Sequence, residues 1–110
     1  MNVDVSQVGD AVTVLTPQGR LNMLAAPALR ELVGEEVAKG HARIVVDLAE
    51  ISFIDSSGLG ALIAGLKATR AAGGDLRIAR PGSQVEAVLR LTNLDRVLRA
   101  HPSAEAAFGA

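Results

Sequence analysis

The stretch Ile54-Asp55-Ser56-Ser57-Gly58-Leu59-Gly60 joins an apolar, strand-like segment to a helical pattern of hydrophobic residues. With ~100° of rotation per helical residue, leucine and isoleucine collect on one face and small residues on the other. The apolar face comprises Leu59, Leu62, Ile63 and Leu66, and the small-residue face comprises Ser57, Gly60, Ala61, Ala64 and Ala68. When the apolar face packs on a core, Ser57 faces water at the head of a smooth strip. The pattern therefore predicts a modification and docking site at Ser57.

The same segment contains signals for the beginning of a helix. Asp and Ser are strong N-cap residues, so Asp55 or Ser56 is expected to cap the helix. Capping and modification are compatible, because one residue can cap while Ser57 stays available. Gly58 and Gly60 lack side chains and are expected to let a modifying enzyme approach the Ser57 backbone closely.

Upstream of this segment, the pattern predicts a β-hairpin, a helix and a strand. Val3 and Val5, then Val12 and Val14, alternate with polar residues on either side of Gly9-Asp10. Pro17-Gln18-Gly19 is expected to end the hairpin. A helix follows from Pro27 to Gly40, then a strand at Ile44–Leu48 whose continuous apolar character favours burial on both faces. The residues around Phe53 are predicted to form a loop.

Downstream, the leucine-rich helix is expected to end near Gly73-Gly74 and to lead into a strand at Leu76–Ala79. Ser83 is interpreted as the N-cap of a third helix. Val97-Leu98 is predicted to form a short edge strand, and Ser103 to cap a last helical turn ending at Phe108. The chain is thus predicted to be α/β: one domain over residues 1–110, with a small, mostly parallel mixed sheet, an N-terminal antiparallel hairpin and about four helices.

Composition argues against several functional classes. The chain has no Cys and a formal net charge of −1 without a basic block, which argues against a zinc–cysteine site and against nucleic acid as the main partner. The absence of a signal-peptide pattern and of a long apolar run predicts a soluble cytoplasmic protein rather than a membrane protein. His41 and His101 are expected to be solvated surface residues, and Asp47 to end a strand or brace a loop. The sequence therefore predicts no metal, no cofactor and no enzymatic activity.

The residues Asp55-Ser56-Ser57-Gly58-Leu59-Gly60, placed between a strand and a helix, resemble the signature loop of STAS domains and, more narrowly, of bacterial anti-sigma factor antagonists. Gly19-Arg20-Leu21-Asn22 is similar to the family's Gly-x-Leu-Asp turn, and Gly73-Gly74-Asp75-Leu76 to its loop into the next strand. Asn22 stands where many relatives carry Asp, and the Met23–Ala26 stretch is unusually apolar, which suggests an apolar surface beside the serine. The resemblance covers nearly the whole chain.

The resemblance implies a phosphorylation switch. The unmodified protein would bind an anti-sigma factor that is a serine kinase, and phosphorylation of Ser57 would release it. A PP2C-type phosphatase would restore the unmodified form. Separately from the resemblance, the chain is expected to be a monomer, because the sequence leaves no obvious apolar stripe for self-pairing. The residues implied in partner binding are Asn22, Asp55, Ser56, Gly58, Leu59, Gly60, Ala61 and Ala64.

Two alternatives from other functional classes stay open at the level of sequence. The first is a STAS scaffold or adaptor, in a stressosome-like assembly or with a transporter, that docks through the same face without being phosphorylated. The second is a sensor that holds a nucleotide or a lipid in the groove beside the loop.

Overall fold

A computed structural model describes residues 1–109, and its elements follow the predicted alternation of strands and helices. The strands are β1 (Val3–Val8), β2 (Val12–Pro17), β3 (Gly19–Leu21), β4 (Arg43–Asp47), β5 (Ile51–Ile54), β6 (Asp75–Ala79) and β7 (Ala100–His101). The helices are α1 (Ala26–Ala38), α2 (Ser56–Ala71), α3 (Ser83–Leu91) and α4 (Ala104–Ala107), with a 3₁₀ helix at Leu94–Arg96.

The main sheet has five strands in the order β1-β2-β4-β6-β7. β1 and β2 form the predicted antiparallel hairpin, while β2, β4, β6 and β7 are parallel to one another. β4 lies in the centre, and Ile44, Val45 and Val46 are fully buried. The continuous apolar run therefore marks a strand that is covered on both faces.

The two faces of the main sheet are covered unequally. On one face, the large core cluster contains Leu15, Ile44 and Ile78 together with residues of α1, α2 and α3. On the other face, a smaller cluster joins Val14, Val45 and Ala79 to the short helix α4. The second face is thus the more open of the two. No helix within the described residues is long and apolar enough to cross a membrane.

A second, two-stranded parallel sheet, formed by β3 and β5, corrects the prediction of a loop around Phe53. Phe53 lies within β5, and Arg20 of β3 places its guanidinium 4.4 Å from the Phe53 ring centroid. Strands of three and four residues carry too little periodicity to be recognised locally, and β5 forms because β3 pairs with it across the chain. This small sheet leads directly into the Asp55–Gly60 segment.

Two predictions near the C-terminal end are wrong in detail. Ser83 is not the N-cap of α3: it is the first helical residue, and Gly82 occupies the cap position without a side-chain hydrogen bond. Val97-Leu98 is not a strand; it follows the 3₁₀ helix, and the edge strand β7 comes later, at Ala100–His101. Leu98 is buried in the main core, so its apolar character reflects burial without strand pairing. The cap at Ser103 is confirmed, since its hydroxyl accepts a hydrogen bond from the Ala106 N–H at 3.1 Å.

Candidate functional site

Asp55 connects the beginning of α2 to the loop that follows β3. Its Oδ1 accepts a hydrogen bond from the Gly58 N–H at 3.0 Å, which confirms Asp55 as the N-cap. Its Oδ2 accepts a second bond from the Met23 N–H at 3.2 Å. A single carboxylate thus satisfies a free donor of the helix and fixes a loop distant in sequence.

Asn22 organises the loop in front of α1. Its side-chain Oδ1 accepts hydrogen bonds from the N–H groups of Leu24 at 3.1 Å and Ala25 at 3.2 Å. Its carbonyl accepts from the N–H groups of Ala25 and Ala26. An asparagine keeps the acceptor that an aspartate would supply here but removes its charge. Since Asp55 is bonded to the neighbouring Met23, Asn22 avoids a second carboxylate beside it.

Ser56 and Ser57 are the first two residues of α2. Ser56 is exposed and Ser57 is half-buried. Within residues 1–109, neither hydroxyl takes part in a hydrogen bond, because Asp55 already caps the helix. The Ser57 hydroxyl is therefore chemically uncommitted and lies beside the free N–H groups of the first helical turn.

Gly58 is buried and has a packing role. A Cβ at this position would lie 2.2 Å from the backbone oxygen of Leu21 and 2.7 Å from Cγ1 of Ile54. The start of α2 therefore sits directly on the small sheet, and only glycine permits that approach. The expectation that Gly58 gives a modifying enzyme access to the loop is therefore wrong. The space left by its missing side chain faces the protein interior.

The helical projection is wrong for Ala61. The projection placed Ala61 on the solvent face with Ser57, but Ala61 is fully buried. α2 packs on the sheet and on α1 at once, so its buried arc is wider than the leucine stripe alone. The buried residues of α2 are Gly58, Leu59, Ala61, Leu62, Gly65, Leu66 and Thr69.

Gly65 shows how closely these elements meet. A Cβ on it would lie 2.8 Å from Cδ1 of Leu76 on β6 and 3.4 Å from Cγ1 of Val33 on α1. Small residues on α2 therefore serve internal packing as well as its surface. Gly58, Leu59 and Ala61 lie beneath the surface, where they can support a partner-binding face without contacting a partner through their side chains.

The accessible part of the site combines the front of α2 with the Asn22 loop. Ser57, Gly60 and Ala64 are half-buried along one side of α2. Met23 and Leu24 are 69% and 87% exposed, and the Met23–Asp55 hydrogen bond holds them beside the helix. We call this surface the loop–helix face; it comprises Met23, Leu24, Ser56, Ser57, Gly60 and Ala64. The face therefore places two large exposed apolar side chains next to an uncommitted serine. This is the apolar surface that the Met23–Ala26 stretch suggested.

Arg30 of α1 borders this face. A Cβ at Gly60 would lie 3.0 Å from Nη2 of Arg30, so the guanidinium rests against the Gly60 backbone. Ser57 lies one turn earlier on the same side of α2, since residues three apart are neighbours on a helix. The positive charge beside Gly60 therefore borders the side of α2 on which the serine lies.

Gln84, on α3, supports the site in a way that the sequence does not predict. Its Oε1 accepts a hydrogen bond from the Ile54 N–H at 2.9 Å, and its Nε2 donates to the Ile54 carbonyl at 3.0 Å. The side-chain amide therefore makes the two backbone hydrogen bonds that a neighbouring strand would make at the outer edge of β5. No local sequence signal identifies this role, because α3 and β5 are distant in the chain.

Three titratable residues outside the face, His41, Glu36 and Asp47, have structural partners. His41 is not a free surface residue: its Nδ1 lies 2.9 Å from Oε1 of the buried Glu36. The hydrogen bond from His41 lowers the pKa of Glu36 below its usual 4.5, with a further contribution from Lys39, although burial works in the opposite direction. Asp47 ends β4, as expected, and braces the following loop by accepting from the Ala49 N–H at 3.1 Å. Within residues 1–109, no cluster of three or more His, Cys, Asp or Glu side chains suits a metal ion.

Comparison with known proteins agrees with this geometry. The family model of the STAS domain matches residues 2–107. A Thermotoga maritima protein described as a candidate anti-sigma factor antagonist is 35% identical over 94 residues, covering 84% of this chain and 83% of the relative. The anti-sigma-B factor antagonist of Bacillus subtilis is 28% identical over 98 residues, covering 89% and 88% respectively.

A solved structure extends the agreement to three dimensions. The crystal structure of an anti-sigma factor antagonist from Mycobacterium paratuberculosis superposes with a TM-score of 0.84 at 28% identity, covering 97% of this chain and 90% of the other. Together with the family model and the loop geometry, these likenesses show that this chain belongs to the STAS domain family.

Proposed function

We propose that this protein is an anti-sigma factor antagonist that acts by binding and is controlled by phosphorylation of Ser57. The observation that carries the proposal is the uncommitted Ser57 hydroxyl on a loop–helix face that also exposes Met23 and Leu24. The names of the relatives from Thermotoga maritima and Bacillus subtilis support the role. The expected partner is an anti-sigma factor with serine-kinase activity, and binding it would free a sigma factor.

The loop–helix face has features of a protein-binding surface. Met23 and Leu24 provide apolar area that water solvates poorly, and the small residues Gly60 and Ala64 allow a partner's side chains to approach the helix. Asp55 bonds the loop to the helix, and Asn22 orders the loop by bonding its backbone. A preorganised surface loses less conformational entropy on binding, which favours affinity.

Phosphorylation at Ser57 would change this surface without unfolding the domain. A phosphate adds about 1.5 to 2 negative charges near pH 7. At a helix N-terminus such a charge is favoured by roughly 0.3–1 kcal/mol, and Arg30 lies nearby to accept it, while Asp55 opposes part of this gain. In the complex, the same charge would have to be desolvated among apolar groups. Each ~1.4 kcal/mol of that cost lowers the affinity tenfold.

The first test is intact-mass spectrometry of the protein incubated with ATP and each candidate anti-sigma kinase of its own organism. We expect an increase by the mass of one phosphoryl group, and its loss in the Ser57→Ala variant. Ser56→Ala is the matched control, because Ser56 is the adjacent, more exposed serine, and it should still be modified. A PP2C-type phosphatase should reverse the change. Modification that persists in Ser57→Ala would contradict the assignment.

The second test measures affinity for the same kinase. Ser57→Ala should bind as tightly as the unmodified protein, and Ser57→Asp should bind at least about tenfold more weakly, equivalent to ~1.4 kcal/mol. Ser83→Asp is the control, because it places the same charge in the first turn of another helix. Equal binding by Ser57→Asp and wild type would refute the charge mechanism. Stable binding without any phosphorylation would instead favour the adaptor function.

A further inference from the structure

A cleft of about 340 Å³ lies at the far end of α2 from Ser57, beside the edge of the main sheet. It exists because β7 has two residues and pairs with Ile78 and Ala79 alone, which leaves the first half of β6 without a neighbour on that side. The Leu76 N–H, which has no strand partner there, donates instead to Oδ1 of Asp75 at 3.0 Å. The cleft is thus a gap in the sheet edge, with the Asp75 carboxylate at its base.

The walls of this cleft are strongly basic. They include Arg70, Arg77, Arg96, Arg99 and His101, and among residues 1–109 Asp75 is the one acidic residue that lines the cleft. Four guanidinium groups against one carboxylate give an excess of three positive charges, whereas the whole chain has a formal net charge of −1. The local positive charge therefore does not reflect a generally basic protein.

Asp75 engages only part of this charge. Its carboxylate pairs with Nε of Arg70 at 3.1 Å and Nε of Arg77 at 3.2 Å, which leaves the Nη groups of Arg70 without a hydrogen bond in the described part of the chain. Burial works to raise the pKa of Asp75, but the hydrogen bonds from Arg70 and Arg77 outweigh it and lower that pKa below its usual value. Arg77 is also held by the Ala107 carbonyl at 2.8 Å.

Arg96 and Arg99 have no such partner. Both are exposed, and among residues 1–109 neither guanidinium forms a salt bridge or a hydrogen bond. Arginine has a planar fork of N–H donors that matches phosphate oxygens in pairs. Within the described residues, several guanidinium groups with unpaired N–H donors line this one cavity. Such an arrangement suits the binding of a multiply charged anion.

We propose that this cleft binds a compact molecule carrying two phosphoryl groups, through Arg70, Arg96 and Arg99. The volume lies at the lower end of the range for small-molecule sites, ~300–1,000 Å³. The Phe108 ring beyond the cleft is already covered by the guanidinium groups of Arg43 at 4.8 Å and Arg77 at 4.4 Å, so the site offers no free aromatic surface for stacking. Recognition therefore rests on the phosphoryl charges.

The proposal is independent of the phosphorylation switch. Ser57 and Arg70 are thirteen residues apart on α2, which places them ~20 Å apart along the helix axis at about 1.5 Å per residue. Ser57→Ala should therefore bind the anion as the wild type does. This variant separates the two proposals, since a failure of one leaves the other unchanged.

The test is titration of the ¹⁵N-labelled protein with inorganic pyrophosphate in a phosphate- and sulfate-free buffer, with calorimetry in parallel. We expect saturable shifts at the amides of Leu76, Arg96, Arg99 and His101. Arg96→Gln and Arg99→Gln should each weaken binding about tenfold, because each removes a charge-assisted contact. Arg90→Gln is the matched control: it removes the same charge from an exposed residue outside the cleft and should bind normally.

Two further outcomes decide the chemistry of the ligand. If a hexose bisphosphate also saturates the shifts of these amides, the ligand is an organic bisphosphate. If pyrophosphate binds and the hexose bisphosphate does not, the ligand is inorganic. The proposal is overturned when no saturable shift appears at millimolar pyrophosphate. It is also overturned when a glutamate-rich peptide saturates these amides and pyrophosphate does not.

Discussion

Some residues outside the loop–helix face build it, and others belong to the face and are presented to solvent. Asp55, Asn22 and Gly58 build it, through hydrogen bonds to backbone N–H groups or through the absence of a side chain. Ser57 and Leu24 are presented to solvent. Substitutions in the first group should therefore change stability, and those in the second should change binding.

Gly58 and Gly60 provide a matched pair for this distinction. Gly58→Ala puts a methyl group against the Leu21 backbone, which cannot move without shifting the small sheet, so we expect a loss of ~2 kcal/mol or more in the free energy of unfolding. Gly60→Ala meets only the flexible end of Arg30, and its better helix propensity should leave stability unchanged or raise it by up to ~1 kcal/mol. Urea unfolding followed by far-UV circular dichroism measures both, since the chain has no Trp or Tyr. Equal losses in the two variants would contradict the packing role of Gly58.

Leu24 tests the presented group. It is 87% exposed, so Leu24→Ser should leave the unfolding free energy within about 0.5 kcal/mol of wild type. Loss of its apolar contact should weaken binding to the anti-sigma factor about tenfold or more. Leu91→Ser is the control, because Leu91 is 85% exposed on another element. Surface plasmon resonance with immobilised partner separates the two, and equal effects would remove Leu24 from the interface.

At the scale of elements, the site depends on a small sheet that is anchored from outside. β5 pairs with β3 on one side, and the side-chain amide of Gln84 satisfies Ile54 on the other. The segment immediately before Asp55 is therefore held by α3. This arrangement fixes the start of α2 relative to the rest of the fold.

Gln84→Ala should loosen that anchor. It removes two hydrogen bonds and leaves the buried Ile54 backbone groups without partners, so we expect a loss of ~2 kcal/mol in unfolding free energy. Gln18→Ala is the control, since among residues 1–109 the Gln18 side chain bonds only the exposed Asp4 carboxylate, and it should cost well under ~1 kcal/mol. Amide hydrogen exchange should show faster exchange at Ile54 in Gln84→Ala alone. Unchanged protection at Ile54 would show that Gln84 does not anchor the strand.

At the scale of the whole molecule, carboxylates with lowered pKa values tie separate elements together. Glu36 joins the end of α1 to His41 before β4, and Asp75 joins the end of α2 to β6. Because both pKa values are lowered on folding, the unfolded chain binds more protons in acid than the folded protein. Their contribution to stability is therefore complete above the ordinary pKa values and is lost as the pH falls through the lower, folded-state values.

We accordingly expect the free energy of unfolding to decrease as the pH falls below about 4.5, the usual pKa of Glu36. Glu36→Gln should be less stable than wild type at neutral pH and should show a shallower decrease in acid. Glu35→Gln, at the exposed neighbouring position, should keep the wild-type pH dependence. Urea titrations at a series of pH values test this. Parallel curves for Glu36→Gln and wild type would show that the Glu36–His41 pair does not contribute.

Most features with a local chemical origin were predicted correctly from the sequence, and the cap expected at Ser83 is the exception. The hairpin, the parallel core strands and the helices follow from hydrophobic periodicity, and the caps at Asp55 and Ser103 follow from side chains that reach the next turn. The position of Ser57 at the start of α2 belongs to the same group. Such features depend on residues only a few positions apart, so one sequence contains the information.

Only the tertiary structure determined the pairing of β3 with β5, the burial of Ala61 and Gly58, the contact of Gln84 with Ile54 and the pairing of His41 with Glu36. The basic cleft belongs to this group, because it joins the end of α2 to the region around β7. The sequence by itself therefore determined the order of the helices and of the main-sheet strands, and the position of the serine. The tertiary structure decided which small residues are covered and which charges meet, because burial and pairing depend on contacts between segments whose relative placement no local pattern specifies.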